Sequence, residues 1–261
     1  METGNSEIIC CPKCKHDLHY RTVEETSSKP CGTWKCRHCG IVYPSKEGFL
    51  QFIKDEDVFR SSRREEIMRA IYARFYGPLT NLMFIPCGGE CQARREVLEN
   101  LEISRNSLVL ETGIGIGDNI SYLNGILNGR PYYGLDNQQI MLRKCKKNSI
   151  KWKQPVLLYR ANAEELPFKD NSFDVVFHLG AINLFRDKKS AIDEMIRVAR
   201  PGTRIVIADE SEKASRLFAI FVGHHDPVVP PVDLIPANMQ EVNLKSIWNE
   251  YGYLITFRKP A

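Results

Sequence analysis

From Ser107 onward the chain alternates between short apolar runs and segments of helical spacing, and no other feature narrows the fold as much. The runs are Ser107 to Glu111, Tyr132 to Asp136, Val156 to Arg160, Phe173 to His178 and Thr203 to Asp209. Each is too continuously apolar for a sheet with one face in water, so both faces must be covered. Helical segments fall between them at about Asp118 to Leu127, Gln138 to Ser149 and Lys188 to Val198. Parallel neighbours need a long connection that returns over the sheet. Five strands with four crossovers, three of them helical, therefore give an α/β fold with a parallel, doubly wound sheet. The tail departs from this pattern. Met239 to Trp248 and Tyr253 to Lys259 are β-prone and joined by a short turn, which predicts an antiparallel hairpin on the sheet edge.

Ahead of the sheet the composition changes: six of the nine cysteines, Cys10, Cys11, Cys14, Cys31, Cys36 and Cys39, lie in the first 39 residues. No apolar run approaches the roughly 18 to 20 residues that cross a bilayer, and the start lacks the basic flank and apolar core of a signal peptide. A reducing, cytoplasmic setting is the expectation, and there clustered thiols point to metal rather than disulfides. Cys11-Pro12-Lys13-Cys14 and Cys36-Arg37-His38-Cys39 are two Cys-x-x-Cys knuckles with 21 residues between them. The two-residue gap turns both sulfurs inward, and four thiolates close a tetrahedron around zinc with no position left for substrate, so the metal is structural. A redox dithiol is the rival reading; His16, His19 and His38 are alternative ligands, and Cys10 and Cys31 are spare thiols.

The division that follows is a zinc ribbon over 1–55, a helical connector over 56–104 and the α/β domain over 105–261. In the connector, Ile67, Ala70, Ile71 and Phe75 recur at helical spacing until Gly77-Pro78, and a second helix over about Glu90 to Leu101 sets Arg94, Arg95, Glu96 and Glu99 on its wet side. As a separate module the ribbon is expected to unfold on chelation while sparing the ligand site of the sheet.

After the first parallel strand comes Glu111-Thr112-Gly113-Ile114-Gly115-Ile116-Gly117-Asp118. Alternate glycines allow a sharp turn and a close approach to a ligand at a helix N-terminus. Many nucleotide sites use such a loop, but the nicotinamide fingerprint needs glycine where Asp118 stands, and an acid there would face a pyrophosphate. A dehydrogenase is therefore disfavoured. Asp136 ends the second strand, 25 residues after Glu111, where a carboxylate accepts both hydroxyls of a ribose; a helix-capping aspartate is the alternative.

Taken in order, Glu111 to Gly117, Asp136 followed by Met141-Leu142, Asn162 to Phe168 with Ser172-Phe173-Asp174, and Arg197 to Gly202 resemble the class I S-adenosylmethionine-dependent methyltransferases, in particular the ubiquinone and menaquinone C-methyltransferase group. The resemblance spans about residues 70 to 210. It implies a Rossmann-like methyltransferase sheet with S-adenosylmethionine as cofactor. It assigns Glu111, Gly113, Gly115 and Gly117 to the methionine side, Asp136 to the ribose, and Asn162, Ala163 and Glu164 to the adenine, with Asn137 a further cofactor-binding residue. His178, at the end of the fourth strand, borders the same cleft. Two positions depart from the family pattern: Asn162 stands for the usual Asp, and Gly77 replaces the acid of a Tyr-Asp motif within Tyr76 to Asn81.

A methyl sulfonium is already electrophilic, so such an enzyme mainly aligns the acceptor and excludes water, and the sequence marks no general base. His178, His224 and His225 are candidates for which a structural role is the stronger reading. The long insertion between Glu210 and Met239 is rich in Leu, Ile, Val and Phe, which favours a small or lipid-like acceptor. Six cations among residues 143 to 153, and a layout similar to zinc-ribbon ribosomal-RNA methyltransferases, keep RNA as the alternative; the net charge of +4 is modest for that role. A non-enzymatic adaptor that only senses the cofactor is a third reading.

Overall fold

The computed structural model describes residues 7–23, 31–54, 84–127, 129–222 and 227–261. The expected helix over 61–76, the Tyr76 to Asn81 motif and His224-His225 lie outside them.

Among the described residues eleven strands form one sheet. In chain order they are β1 (Leu18–Val23), β2 (Cys31–Cys36), β3 (Val42–Lys46), β4 (Phe49–Gln51), β5 (Val109–Thr112), β6 (Tyr132–Asp136), β7 (Val156–Arg160), β8 (Val175–Leu179), β9 (Arg204–Glu210), β10 (Gln240–Ile247) and β11 (Gly252–Arg258). The spatial order is β1-β2-β3-β4-β7-β6-β5-β8-β9-β11-β10. The block β7-β6-β5-β8-β9 is parallel, as the apolar runs require, and β11 and β10 close it antiparallel beside β9. All of β5 and nearly all of β9 are buried, whereas only Ile247 of β10 is, as befits an outermost strand.

Five helices are described: α1 (Glu90–Leu98), α2 (Ile120–Leu127), α3 (Gln139–Trp152), α4 (Lys188–Val198) and α5 (Glu212–Val222). α3 runs three residues past its expected end, to a left-handed Lys153, because Ile150, Lys151 and Trp152 include no helix breaker. α4 begins where Asp187 accepts the Ser190 N–H at 3.0 Å. The insertion after β9 begins with a helix, α5.

The ribbon is not a detached module. β4 pairs parallel with β7, Leu50 against Tyr159 and Gln51 against Arg160, so the ribbon extends the α/β sheet. Ile9 forms an antiparallel bridge with Phe168. One apolar core runs from Ile9, Tyr43, Leu50 and Phe52 of the ribbon into Phe168, Phe173, Ile192 and Met195 under α4. The opposite face packs Val97, Ile120, Leu123 and Leu142 of α1, α2 and α3. Shared strands and a shared core couple the two parts, which argues against the expectation that the ribbon unfolds alone.

Candidate functional site

The strand order reverses between β5 and β8, and at such a switch point two successive crossovers leave on opposite faces, opening a crevice beyond the strand C-termini. The glycine loop lies there. Gly113, Gly115 and Gly117 have φ of 71°, 56° and 82°, a region that side chains resist. The three differ in surroundings. A Cβ on Gly113 would stand 3.0 Å from the His178 ring and one on Gly117 would stand 2.6 Å from the Cys145 sulfur, whereas one on Gly115 would meet nothing within 4 Å. Gly115 is therefore the point at which the backbone is open to a ligand.

Asp136 faces that point from the end of β6. Its Oδ2 accepts the Gly115 N–H at 3.0 Å and its Oδ1 the Gln138 N–H at 2.7 Å. The second bond is the turn-forming role that the capping alternative supposes; the first ties the carboxylate to the loop. Each oxygen keeps a lone pair for a ribose hydroxyl. Burial pushes the Asp136 carboxyl up to about 6, against its backbone N–H partners. Asn137 accepts Arg160 Nε through its carbonyl at 3.2 Å. Asn162 precedes a single helical turn, Ala163–Glu165, and Glu164 accepts the Arg186 N–H at 3.2 Å, joining the adenine-side segment to the loop after β8.

Two sequence-named residues lie buried next to the loop. Glu111 is buried, its Oε1 accepting from Asn119 Nδ2 at 2.6 Å and its Oε2 from the Tyr132 hydroxyl at 2.5 Å; burial pushes it up to about 7. His178 is also fully buried. Its Nδ1 donates to the Thr112 carbonyl at 2.7 Å and its Nε2 accepts the Ala181 N–H at 2.8 Å. Burial holds it down at about 4, so it is a neutral brace with both nitrogens engaged.

Sequence reasoning missed Arg94. Assigned to the wet side of α1, it is 3% exposed. It bonds Glu90 at 2.7 Å, Asn119 Oδ1 at 2.7 Å and Asp118 at 3.2 Å, and lies 5.9 Å from the Phe84 ring centroid. Arg94, Asn119 and Glu111 form one line under the glycine loop. Asp118, the residue that argued against a pyrophosphate, is ion-paired. The spacing of α1 cannot reveal that its polar face meets charges 24 residues on. Asp209 was missed too. At the end of β9 it accepts the N–H groups of Asn183 and Glu210, each at 2.8 Å, and burial pushes it up to about 7.

In the ribbon the sulfurs of Cys11, Cys14, Cys36 and Cys39 lie within 4.8 Å of one another. Cys11 and Cys39 are 3.6 Å apart and Cys14 and Cys36 3.4 Å. A tetrahedron with Zn–S bonds of about 2.3 Å has edges of roughly 3.8 Å, so the quartet fits zinc. Backbone N–H groups of His16, His38, Cys39 and Ile41 point at these sulfurs, and the Tyr43 hydroxyl is 3.1 Å from Cys11, which suits thiolates. His16 and His38 stack on each other at 4.0 Å outside the quartet. Cys10 is buried beside it, its thiol pushed up to about 11 by burial.

Residues 110–207 match the methyltransferase domain family and residues 6–48 match the Trm112p-like protein family. The phthiotriol/phenolphthiotriol dimycocerosates methyltransferase of Mycobacterium tuberculosis is 39% identical over 102 residues, which cover 39% of this chain and 37% of that protein. This chain therefore spans little more than a third of the length of that relative. The demethylmenaquinone methyltransferase of Lactiplantibacillus plantarum is 28% identical over 183 residues, 69% of this chain and 73% of the relative. Among solved structures, a chain from the complex of the Haloferax volcanii Trm112 methyltransferase activator with a methyltransferase aligns with a TM-score of 0.54 at 17% identity, over 65% of this chain and 89% of that one. The [4+2]-cyclase SpnF aligns at 0.57 and 15% identity, over 74% and 94%. These structures share the Rossmann-like methyltransferase fold, and the cyclase illustrates that the fold alone does not set the reaction.

Proposed function

We propose that this chain, a methyltransferase domain built onto a Trm112p-like ribbon, transfers the methyl group of S-adenosylmethionine to a small or lipid-like acceptor. The observation that carries the cofactor assignment is Asp136 held against Gly115, a carboxylate beside the one loop glycine with open space around it. In this reading Asp136 takes the ribose hydroxyls, Gly113 to Gly117 let the methionine portion approach the backbone, and Asn162 to Glu164 border the adenine. Glu111, Arg94 and His178 hold that surface from behind. The bound sulfonium supplies an electrophilic methyl group, and the protein supplies alignment. In the ribbon, Cys11, Cys14, Cys36 and Cys39 hold a structural zinc.

The acceptor class is supported by the lipid and quinone acceptors that the relatives' names carry. Leu184 just after β8 and Val229 beyond α5 are apolar side chains 84% and 67% exposed. The basic run that favours RNA is partly committed elsewhere. Arg143 forms a bidentate pair with Glu47 at 2.5 and 2.6 Å, and Lys146 bonds the Glu47 carbonyl at 2.6 Å, both holding the ribbon.

The test supplies methyl-labelled S-adenosylmethionine and a cell extract, then separates organic-soluble, RNA and protein fractions. Label in the organic fraction is expected, undiminished when Lys144, Lys147 and Lys151 are neutralised. Label in RNA that disappears in that triple variant replaces the acceptor assignment with the RNA alternative.

A further inference from the structure

The ribbon grips both ends of the adenine-side segment. At the upstream end Gln51, the last residue of β4, accepts Arg160 Nη1 at 3.2 Å, and the same guanidinium donates through Nε to the Asn137 carbonyl at 3.2 Å. The backbone doubles this link, with Phe52 N–H donating to the Arg160 carbonyl at 2.8 Å. Gln51 and Arg160 are 7% and 5% exposed. At the downstream end Cys10 N–H donates to the Pro167 carbonyl at 3.0 Å and Lys169 N–H to the Ile8 carbonyl at 2.8 Å. Lys13 pairs with Glu165 at 2.6 Å and Lys15 donates to the Leu166 carbonyl at 3.2 Å. Residues 161 to 164 are suspended between these two grips.

We propose that Gln51 is a positioning residue for cofactor binding, the point at which the ribbon, through Arg160 and the Asn137 carbonyl, sets the Asn137–Gln138 peptide, whose N–H donates to the Asp136 carboxylate. This inference rests on the cofactor reading above. The physical reason is geometric. Asn137 directly follows the ribose acid, and its carbonyl is held by a side chain whose other arm is fixed by the ribbon. The acceptor oxygen of Gln51 is engaged, while its buried Nε2 has no partner, so the amide's role here is to accept. An apolar residue at position 51 takes the Gln51 acceptor away from a buried guanidinium. The peptide at Asn137 then relaxes, and with it the carboxylate that meets the ribose.

The experiment uses the zinc-loaded full chain and S-adenosylhomocysteine as calorimetric probe. Gln51→Leu is expected to weaken binding at least fivefold with zinc content unchanged. Gln51→Asn, too short to reach Arg160, should behave likewise, and serves if the leucine variant does not fold. Gln51→Glu restores an acceptor and should bind as the parent does. In turnover the leucine and asparagine variants should raise KM for S-adenosylmethionine with kcat little changed, a split that general destabilisation would not produce. Unchanged affinity in a folded Gln51→Leu or Gln51→Asn chain overturns the proposal, as does failure of Gln51→Glu to restore it. A parent chain that binds no S-adenosylhomocysteine instead overturns the cofactor reading itself, and this inference with it.

Discussion

Replacing Asp136 by Ala removes the carboxylate that accepts the N–H of Gly115, the loop glycine with open space around it. In the free protein that group accepts the Gly115 and Gln138 N–H groups at 3.0 and 2.7 Å, and burial has pushed its carboxyl up to about 6. Two consequences oppose each other in the unliganded fold: two N–H groups lose an acceptor, and a half-buried charge no longer has to be desolvated. The folded chain should therefore survive the substitution with a small shift in Tm. The bound state has no such compensation. Hydrogen bonds from ribose hydroxyls to a charged acceptor are worth about 1.5 to 3 kcal/mol, so affinity for S-adenosylhomocysteine should fall about 10- to 150-fold. Titration calorimetry at pH 7.5 reads this directly, with a melting curve as the control for folding. A folded Asp136→Ala chain that binds as tightly as the parent would refute the assignment of this carboxylate to the ribose.

The same carboxyl sets a pH dependence. A ligand donating hydroxyls prefers the ionised form, so affinity should rise as pH rises through about 6, reach its plateau above 7, and stand about tenfold lower at pH 5; a flat profile from pH 5 to 8 would contradict it. Arg94→Met should leave Glu90 and Asp118 without their buried cation, costing roughly 3 kcal/mol and lowering Tm by roughly 6 to 12 °C; a shift below about 2 °C would show that the network under the loop carries no such weight. Metal analysis of reduced protein should find one zinc per chain, lost in Cys36→Ser, and its removal should weaken S-adenosylhomocysteine binding because ribbon and sheet share strands; zinc-free protein with intact ribbon and binding would refute the assignment.

The parallel sheet was legible because buried strands are marked by continuous apolar runs, and all five lie within two residues of where those runs fall. The helix ends were less so. α2 starts at Ile120, two residues late, because Asp118 and Asn119 are drawn toward Arg94. The cysteine quartet was legible from spacing alone, since both members of each knuckle are local. What could not be read was long-range. β4 is three residues with no alternation, and its partner β7 lies more than 100 residues on, so nothing near Phe49 to Gln51 shows that the ribbon completes the sheet. Arg94 was misplaced for a related reason. Periodicity shows which face of an element is polar, but not whether that face meets water or the partners that satisfy it inside.

Calorimetric titration of the zinc-loaded parent chain tests most directly whether the crevice beyond β5 and β8 holds S-adenosylmethionine. S-adenosylmethionine and S-adenosylhomocysteine should each bind at one site per chain and compete with each other, while NAD produces no heat. Binding of NAD in their place, or no binding of either sulfur compound to folded, zinc-loaded protein, would contradict the account.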